Sequence, residues 1–549
     1  DMSRKNGIQV FVIGLLLLIA GAVFFLYWGR QKEIWFCDEI YTYESANGFE
    51  QDWPAENIDQ WMTGRDVEAF FSADSENLSL NDISVRLYCD HVPLYFWIFR
   101  VVSFYLFHGS GSMWIGLSIN LVFYLAILGL VYGTFYKLTH SACAAAIVTL
   151  LTCVTNRLLM EQATMLRMYL MMLLLELLLL LQAAGVLRDA GKGKLSPGTF
   201  AGLFLVSLAG LLTHYHFWIF YAVTAALFCL WLLIQAIRKK SGKFFWQPEV
   251  KCVLAWLGNF AASLLVTVLL FPYCKWNLNR GKGEMALHSV FVFSAEKIQH
   301  ILWGYRRLSV AVFGEKIPVI IGLVVMFGCI VGGAVLLYRQ KETFKLTCLL
   351  LAVLVAQAYQ LAVCFTLPDV EEERYIWGSI TIMMLCMAWG AILLLQRLAA
   401  AVRKENNAAR KGIKTGIAAV LALGILVGEM QLFDHGNGVA YLSYPGKDVD
   451  VLREYREIPW VVYGPTVGVY SYYDWLIPEK ICFVTMDQTQ EDADTLAGLA
   501  GDDSFILYIY ADYCTDALKF IEQETGKQFE GEYLFNSTNL SVYLVNTVN

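Results

Sequence analysis

Two adjacent carboxylates, Asp38 and Glu39, follow the first long apolar run of the chain by a few residues. A bare charge costs roughly 2.5–3.5 kcal/mol at the centre of a membrane helix. The pair therefore belongs just outside the hydrocarbon, where it can be ionised and still reach something held in lipid. Trp35, Tyr41 and Tyr43 around it are residue types that settle at the headgroup level. A solvated helix end would look the same if nothing else stood near it. Four further groups border apolar runs: Asp90 with His91, Glu161 with Arg167, His214 with His216, and Arg374. Arginine's planar fork suits bidentate binding of phosphate, and a carboxylate near a hydroxyl suits removal of its proton. Together these types suit transfer from a phosphate-bearing lipid to a hydroxyl.

The elements that must position these residues are membrane helices. Of 549 residues, 57% are hydrophobic and only 16% charged, where a soluble domain carries about 25% charged. Mean hydropathy is +0.51. Apolar windows long enough to cross about 30 Å recur along the chain. They predict about eleven spans, at 8–28, 113–136, 141–155, 164–187, 200–212, 217–237, 252–271, 317–338, 346–367, 375–395 and 415–432. The first is too long for a signal-peptide core and predicts a retained helix. Threaded in this order, every basic cluster falls on one side: Arg4 and Lys5, Lys137, Arg188, Arg238 to Lys240, Arg339, and Arg397 to Lys414. By the positive-inside rule that side is cytoplasmic. The first outer loop, 29–112, the second, 272–316, and the tail, 433–549, then lie outside with all five polar groups.

The apolar stretch 93–107 is short for a span and contains Arg100, which predicts a helix along the outer interface. The tail has strand-like runs at 460–463, 481–485, 505–510 and 541–545 around a helical stretch, 516–524, and predicts a small α/β domain. The fold expected is a polytopic α-helical membrane domain, 1–432, with interfacial helices in its first outer loop and an extracytoplasmic α/β domain after it. Seven of the thirteen cysteines sit in apolar runs as small hydrophobes, and none has metal-ligand spacing. Cys37 and Cys89 share a loop, as Cys482 and Cys514 share the tail; either pair could close a disulfide.

The motifs resemble a known family. Cys37-Asp38-Glu39-Ile40-Tyr41, followed by Asp90-His91-Val92-Pro93-Leu94-Tyr95, resembles the Asp-Glu and Asp-His-Pro-Pro-Leu-Tyr motifs of GT-C glycosyltransferases. The branch is that of protein O-mannosyltransferases and lipid A aminoarabinose transferases. Arg167-Met168-Tyr169 resembles the branch's Glu-Ala-Arg-Met-Tyr, Thr213-His214-Tyr215 its Thr-His-Tyr, and Arg374-Tyr375 its late Arg-Tyr. The order and the membrane side of all five agree over residues 8–395. Two positions depart: Val92 replaces the first proline, and Met165 stands where the glutamate would be, with Glu161 further upstream.

The resemblance implies inverting transfer of a sugar from a polyprenyl-phosphate carrier to an acceptor hydroxyl at the outer face of the plasma membrane, in glycosylation of the cell envelope. It implies Asp38 as general base, with Glu39 and Asp90 as further catalytic acids. Arg167, Arg374 and Tyr375 would bind the donor phosphate, and His91, Tyr169, His214 and Tyr215 would line the acceptor cavity. No cofactor is required; a divalent cation, if used, would fall to Asp38 and Glu39. The partners implied are the donor lipid, a glycan, lipid or protein acceptor, and membrane lipids, without nucleic acid. A polysaccharide polymerase or ligase using polyprenyl-linked donors is the nearest competitor. A lipid or sugar transporter would also need a charged cavity, but would place ionisable groups near the midplane and on both faces; Glu176 is the clear intramembrane charge here.

Overall fold

The computed structural model describes the chain except residues 1, 33–34, 49–58, 70, 74–77, 88–90, 240–243, 279–280, 291, 293, 367–372, 403–448, 464–474, 486, 538–539 and 549. Among the described residues, eighteen α-helices precede the tail. They are α1 (Met2–Gly29), α2 (Cys37–Asn47), α3 (Gly64–Ala69), α4 (Leu80–Arg86), α5 (Leu94–Phe107), α6 (Trp114–Thr139), α7 (Ala142–Thr149), α8 (Arg157–Thr164), α9 (Tyr169–Gly191), α10 (Pro197–Leu211), α11 (Tyr215–Arg238), α12 (Pro248–Leu270), α13 (Cys274–Leu278), α14 (Gly281–Val290), α15 (Ala295–Phe313), α16 (Val319–Arg339), α17 (Thr343–Thr366) and α18 (Trp377–Val402).

Among the described residues, eight helices are long and apolar enough to cross a membrane: α1, α6, α9, α11, α12, α16, α17 and α18. The chain is a multi-pass membrane protein. Eight of the eleven expected spans correspond to these helices; the other three take other forms or lie outside the described residues. The run at 141–155 continues through a π-helical turn, Leu150–Val154, and bends by 60° into α8, a broken span that would make a ninth. The run at 200–212 forms a helix of only 15 residues, α10. The run at 415–432 lies outside the described residues.

Two outer-loop expectations change as well. The loop 272–316 is largely helical, as α13, α14 and α15. The helix at 93–107 is α5, which buries Tyr95, Phe96, Phe99, Arg100 and Ser103. It packs between α2 and α6, so it is a wall of the bundle's end as much as an interfacial element.

The tail contains β1 (Trp460–Tyr463), β2 (Ile481–Val484), β3 (Ser504–Ile509), β4 (Phe529–Ser537) and β5 (Leu540–Thr547). The sheet order is β2-β1-β3-β5-β4, with β1 parallel to β2 and β3, and β5 antiparallel to β3 and β4. Three helices accompany it: α19 (Val449–Glu454), α20 (Gln490–Leu496) and α21 (Cys514–Thr525). β1 is buried along its whole length, as parallel strands covered on both faces are. Strand parity shows how. Val461, Tyr463, Leu507 and Ile509 cluster with Leu496 and Ile521 of α20 and α21. Trp460, Val462, Ile506 and Tyr508 join the large core that continues into the bundle. Cys482 and Cys514 are both free thiols, so the tail disulfide is absent. The alternative pair, Cys37 with Cys89, involves a residue outside those described.

The first outer loop seals the edge of the sheet. Met62 forms an antiparallel bridge with Ile481 of β2, its N–H donating to the Ile481 carbonyl at 2.7 Å and the reverse bond at 2.8 Å. The Asp59 N–H donates to the Phe483 carbonyl at 2.9 Å, and Trp61 Nε1 donates to the Thr495 carbonyl at 3.0 Å. Gly64 is required at the end of this strap, since a Cβ there would lie 2.4 Å from the Leu476 carbonyl oxygen. An otherwise open edge strand is thereby paired within the molecule.

Candidate active site

The site begins at the first turn of α2. Phe36 caps the helix in extended conformation, and its N–H donates to Glu39 Oε2 at 2.8 Å. Both acids of the first turn complement the helix dipole, but they point to different neighbours. Glu39 is completely buried. Its Oε1 accepts the Leu166 N–H at 2.8 Å and pairs with Lys32 Nζ at 2.9 Å. Burial pushes the Glu39 carboxyl above the usual range, against the pull of Lys32 and the two backbone donors. The same burial lowers Lys32. The bond of Glu39 to the Leu166 amide fastens α2 to the break between α8 and α9, while those to Phe36 and Lys32 hold the start of α2.

That break is what sets Arg167. Asn120 of α6, fully buried, donates to the carbonyls of Ala163 at 3.0 Å and Met165 at 2.6 Å. Met165 is extended, so the chain leaves α8 and re-enters a helix at Tyr169. Arg167, 3% exposed, is thereby turned toward α2. Its Nη1 donates to Thr42 Oγ1 at 3.0 Å, and its Nη2 lies 2.9 Å from His91 Nε2. Thr42 in turn donates to the Asp38 carbonyl at 3.2 Å.

Asp38 faces the other way from Glu39. Its Oδ2 lies 2.9 Å from Arg374 Nη1, with the aspartate side chain 19% exposed and the arginine 7%. The Arg374 guanidinium covers the rings of Phe36 at 5.5 Å and Tyr375 at 5.3 Å. An aromatic floor then connects the two arginines. Tyr375 stacks on His216 at 4.6 Å, His216 neighbours His214 at 5.0 Å, and His214 neighbours both Tyr169 at 5.4 Å and His91 at 6.1 Å. His214 caps α11 and accepts the His216 N–H on Nδ1 at 3.0 Å. Burial, then His216, His91 and both arginines, hold His214 well below the ordinary imidazole range. A neutral imidazole lined up with two guanidiniums describes a site short of negative charge.

The structure thus brings together Asp38, His91, Arg167, Tyr169, His214, Arg374 and Tyr375. Asp90 lies outside the described residues. Tyr215 turns away from the ring floor toward Trp218 and Asn277. Glu39 pairs with Lys32 and Asp38 with Arg374; among the described residues no group of three or more acids, histidines and cysteines could hold a metal. Glu161 pairs with Arg157 one turn earlier at 2.8 Å. Glu373 pairs with Arg307 of α15, which leaves Arg374 to Asp38. Sequence reasoning missed the positioning roles of Lys32, Thr42 and Asn120, which carry no local signal.

A helical bundle with an acid–arginine site at one end is joined here to a small α/β domain. A solved structure of similar fold is ArnT from Cupriavidus metallidurans in the apo state, with a TM-score of 0.50 and 11% identity over 99% of this chain and 98% of that one. At that identity the likeness is one of fold. Looser likenesses, at TM-scores of 0.46 and 0.47, are to the same ArnT bound to undecaprenyl phosphate (12% identity, 96% of this chain, 97% of that one) and to the Archaeoglobus fulgidus oligosaccharyltransferase in its apo form (9% identity, 96% and 74%). No family model matches the sequence, and no curated protein matches it.

Proposed function

We propose that this protein is a membrane glycosyltransferase that moves a sugar from a polyprenyl-phosphate carrier to an acceptor hydroxyl, with inversion, at the extracytoplasmic face. The observation that carries the reading is the Asp38–Arg374 contact at 2.9 Å, with Arg167 joined to the same turn of α2 through Thr42. It sets one accessible carboxylate beside two guanidiniums at the end of the bundle. Lys and Arg clusters gather at the opposite end, which supports an extracytoplasmic site.

In this reading donor phosphate replaces Asp38 as the partner of Arg374, and Arg167 supports it from the other side. The freed carboxylate takes the acceptor proton as the hydroxyl oxygen attacks the anomeric carbon and the C–O bond to phosphate breaks. Polyprenyl phosphate leaves as an anion, so the arginines carry the developing charge and no acid is needed on the leaving group. His91, Tyr169 and His214 shape the floor on which the acceptor rests, and Asp90 adjoins it in sequence. Glu39 acts through position alone. The bundle 1–432 would hold the chemistry and 433–549 the appended outer domain.

The test incubates purified protein in lipid with a panel of polyprenyl-phosphate and polyprenyl-diphosphate sugars and an envelope extract as acceptor source. Consumption of a monophosphate sugar, lost in Asp38→Asn, is the expected result. Consumption of a diphosphate-linked oligosaccharide would establish a polymerase or ligase instead. Donor lipid crossing the bilayer with its sugar intact would establish a transporter.

A further inference from the structure

The second notable space in the molecule lies at the other end of the bundle. A cavity of about 730 Å³ opens among α6, α9, α17 and α18, with Phe228 of α11 at its side. That is within the range of sites that hold small ligands, about 300–1,000 Å³. Its walls are apolar, including Leu180, Leu385 and Trp389, and no acidic residue lines it. Three cations from three different helices do: Lys137, Arg188 and Lys345. Lys137 is exposed. The other two make only long contacts with near neighbours, Arg188 with Asp189 at 3.7 Å and Lys345 with Glu342 at 3.5 Å, and their side chains remain 57% and 33% exposed.

Arg188 stands nineteen residues along α9 from Tyr169 in the candidate active site. At 1.5 Å per residue that is about 28 Å, one hydrocarbon thickness. The cations therefore mark the opposite membrane interface, and the apolar walls run from it into the bilayer. A second feature keeps the space open. Gly129 and Gly133, one turn apart on α6, both line it, and a Cβ at either would meet nothing within 4 Å. Glycine is a poor helix former in mid-helix, so neither residue is there for the sake of the helix.

We infer that this cavity binds an anionic glycerophospholipid of the bilayer, one acyl chain between α6, α9, α17 and α18 and the phosphate among Lys137, Arg188 and Lys345. The shape is that of a basic pocket between membrane helices, which recognises lipid phosphate at the cytoplasmic surface. The site is separate from the one proposed for the sugar carrier and does not depend on that proposal.

The test uses the full chain in nanodiscs doped with phosphatidylglycerol or phosphatidylcholine carrying a photoreactive acyl chain, and maps the labelled peptides by mass spectrometry. Label is expected on the peptides carrying Leu180, Cys348 and Leu385, with phosphatidylglycerol favoured roughly tenfold to a hundredfold by its charge on three cations. The triple variant Lys137→Gln, Arg188→Gln, Lys345→Gln should abolish the preference while leaving some label. Gly133→Phe should abolish label from both lipids, and since it replaces a poor helix former with a better one it keeps α6 intact. Unlabelled lining peptides, equal labelling by the two lipids, or a preference that survives the triple variant would each overturn the inference. So would displacement of the phosphatidylglycerol label by polyprenyl phosphate, which would assign the cavity to the carrier lipid.

Discussion

Two ion pairs share the first turn of α2 and differ in almost everything else. Lys32–Glu39 is sealed, with neither side chain exposed and both carboxylate oxygens also held by backbone donors, one from the helix cap and one from Leu166. Asp38–Arg374 keeps a path to solvent, with the aspartate side chain 19% exposed. Burying a charge pair costs desolvation that its attraction seldom recovers, so such a pair is held for position. A pair that remains reachable can exchange one partner for a ligand. Adjacent acids with the same intrinsic chemistry are thus divided, in the proposed mechanism, into a fastening and a reagent by what surrounds them.

The division predicts opposite phenotypes. Asp38→Asn is nearly isosteric and cannot accept a proton. It should lower turnover by about 10²–10⁴-fold, with the melting temperature close to wild type and donor binding retained. Turnover within a few-fold of wild type would remove Asp38 as the base and pass the role to Asp90. Glu39→Ala should do the reverse. Stranding Lys32 in the core should cost about 3–5 kcal/mol, seen as a lower melting temperature, and Lys32→Met combined with Glu39→Gln should recover part of it. If Glu39→Gln abolishes turnover in protein of normal stability, Glu39 is a reagent after all.

Arg374 tests the exchange of partners. Arg374→Ala should weaken donor binding about ten- to a hundredfold, the worth of a lost charge-assisted contact. Arg374→Lys should restore it only in part, because the fork is gone. Equal donor affinity in Arg374→Ala would reduce the arginine to a counter-ion for Asp38.

The smallest effect belongs to a third pair of acids, in the strap over the sheet edge. Burial and the facing Asp492 carboxyl push Asp59 up to about 7. The docked strap thus holds a proton that the free chain releases near pH 4. Its contribution to docking is full below that pH and is lost as pH rises through about 7. Amide exchange at Asp59 and Met62, corrected for the intrinsic rate, should therefore quicken several-fold between pH 6 and 8. Asp59→Asn should remove the dependence; a dependence that persists would locate the titration elsewhere.

Much of the architecture was legible because a membrane makes the signal simple. Runs such as 217–237 and 317–338 are apolar all round, and length alone identifies them. Hydropathy does not record geometry such as the π-helical turn at 150–154 and the shortness of α10. The tail's β1, β2, β3 and β5 were visible as short apolar runs. β4 was not, since Glu530, Glu532 and Asn536 break its hydrophobic pattern on an exposed hairpin edge. In the site, the residues that carry chemistry could be named from their types and their place beside apolar runs. Their fasteners could not. Asn120 lies in the middle of an apolar span and Lys32 in an ordinary polar turn; only the fold brings the first to Met165 and the second to Glu39.

The bond between Glu39 and the Leu166 amide joins residues 127 positions apart. At a synthesis rate of about 5–20 residues per second, roughly 6–25 s pass between the emergence of one and of the other. During that interval an acid destined for a sealed interior is already at the membrane surface, while Lys32, seven residues before it, is present from the outset. The lysine is thus a partner in biosynthesis before it is one in the finished protein. Without it, the carboxylate would have to be hydrated or chaperoned until α6, α8 and the start of α9 had been laid down.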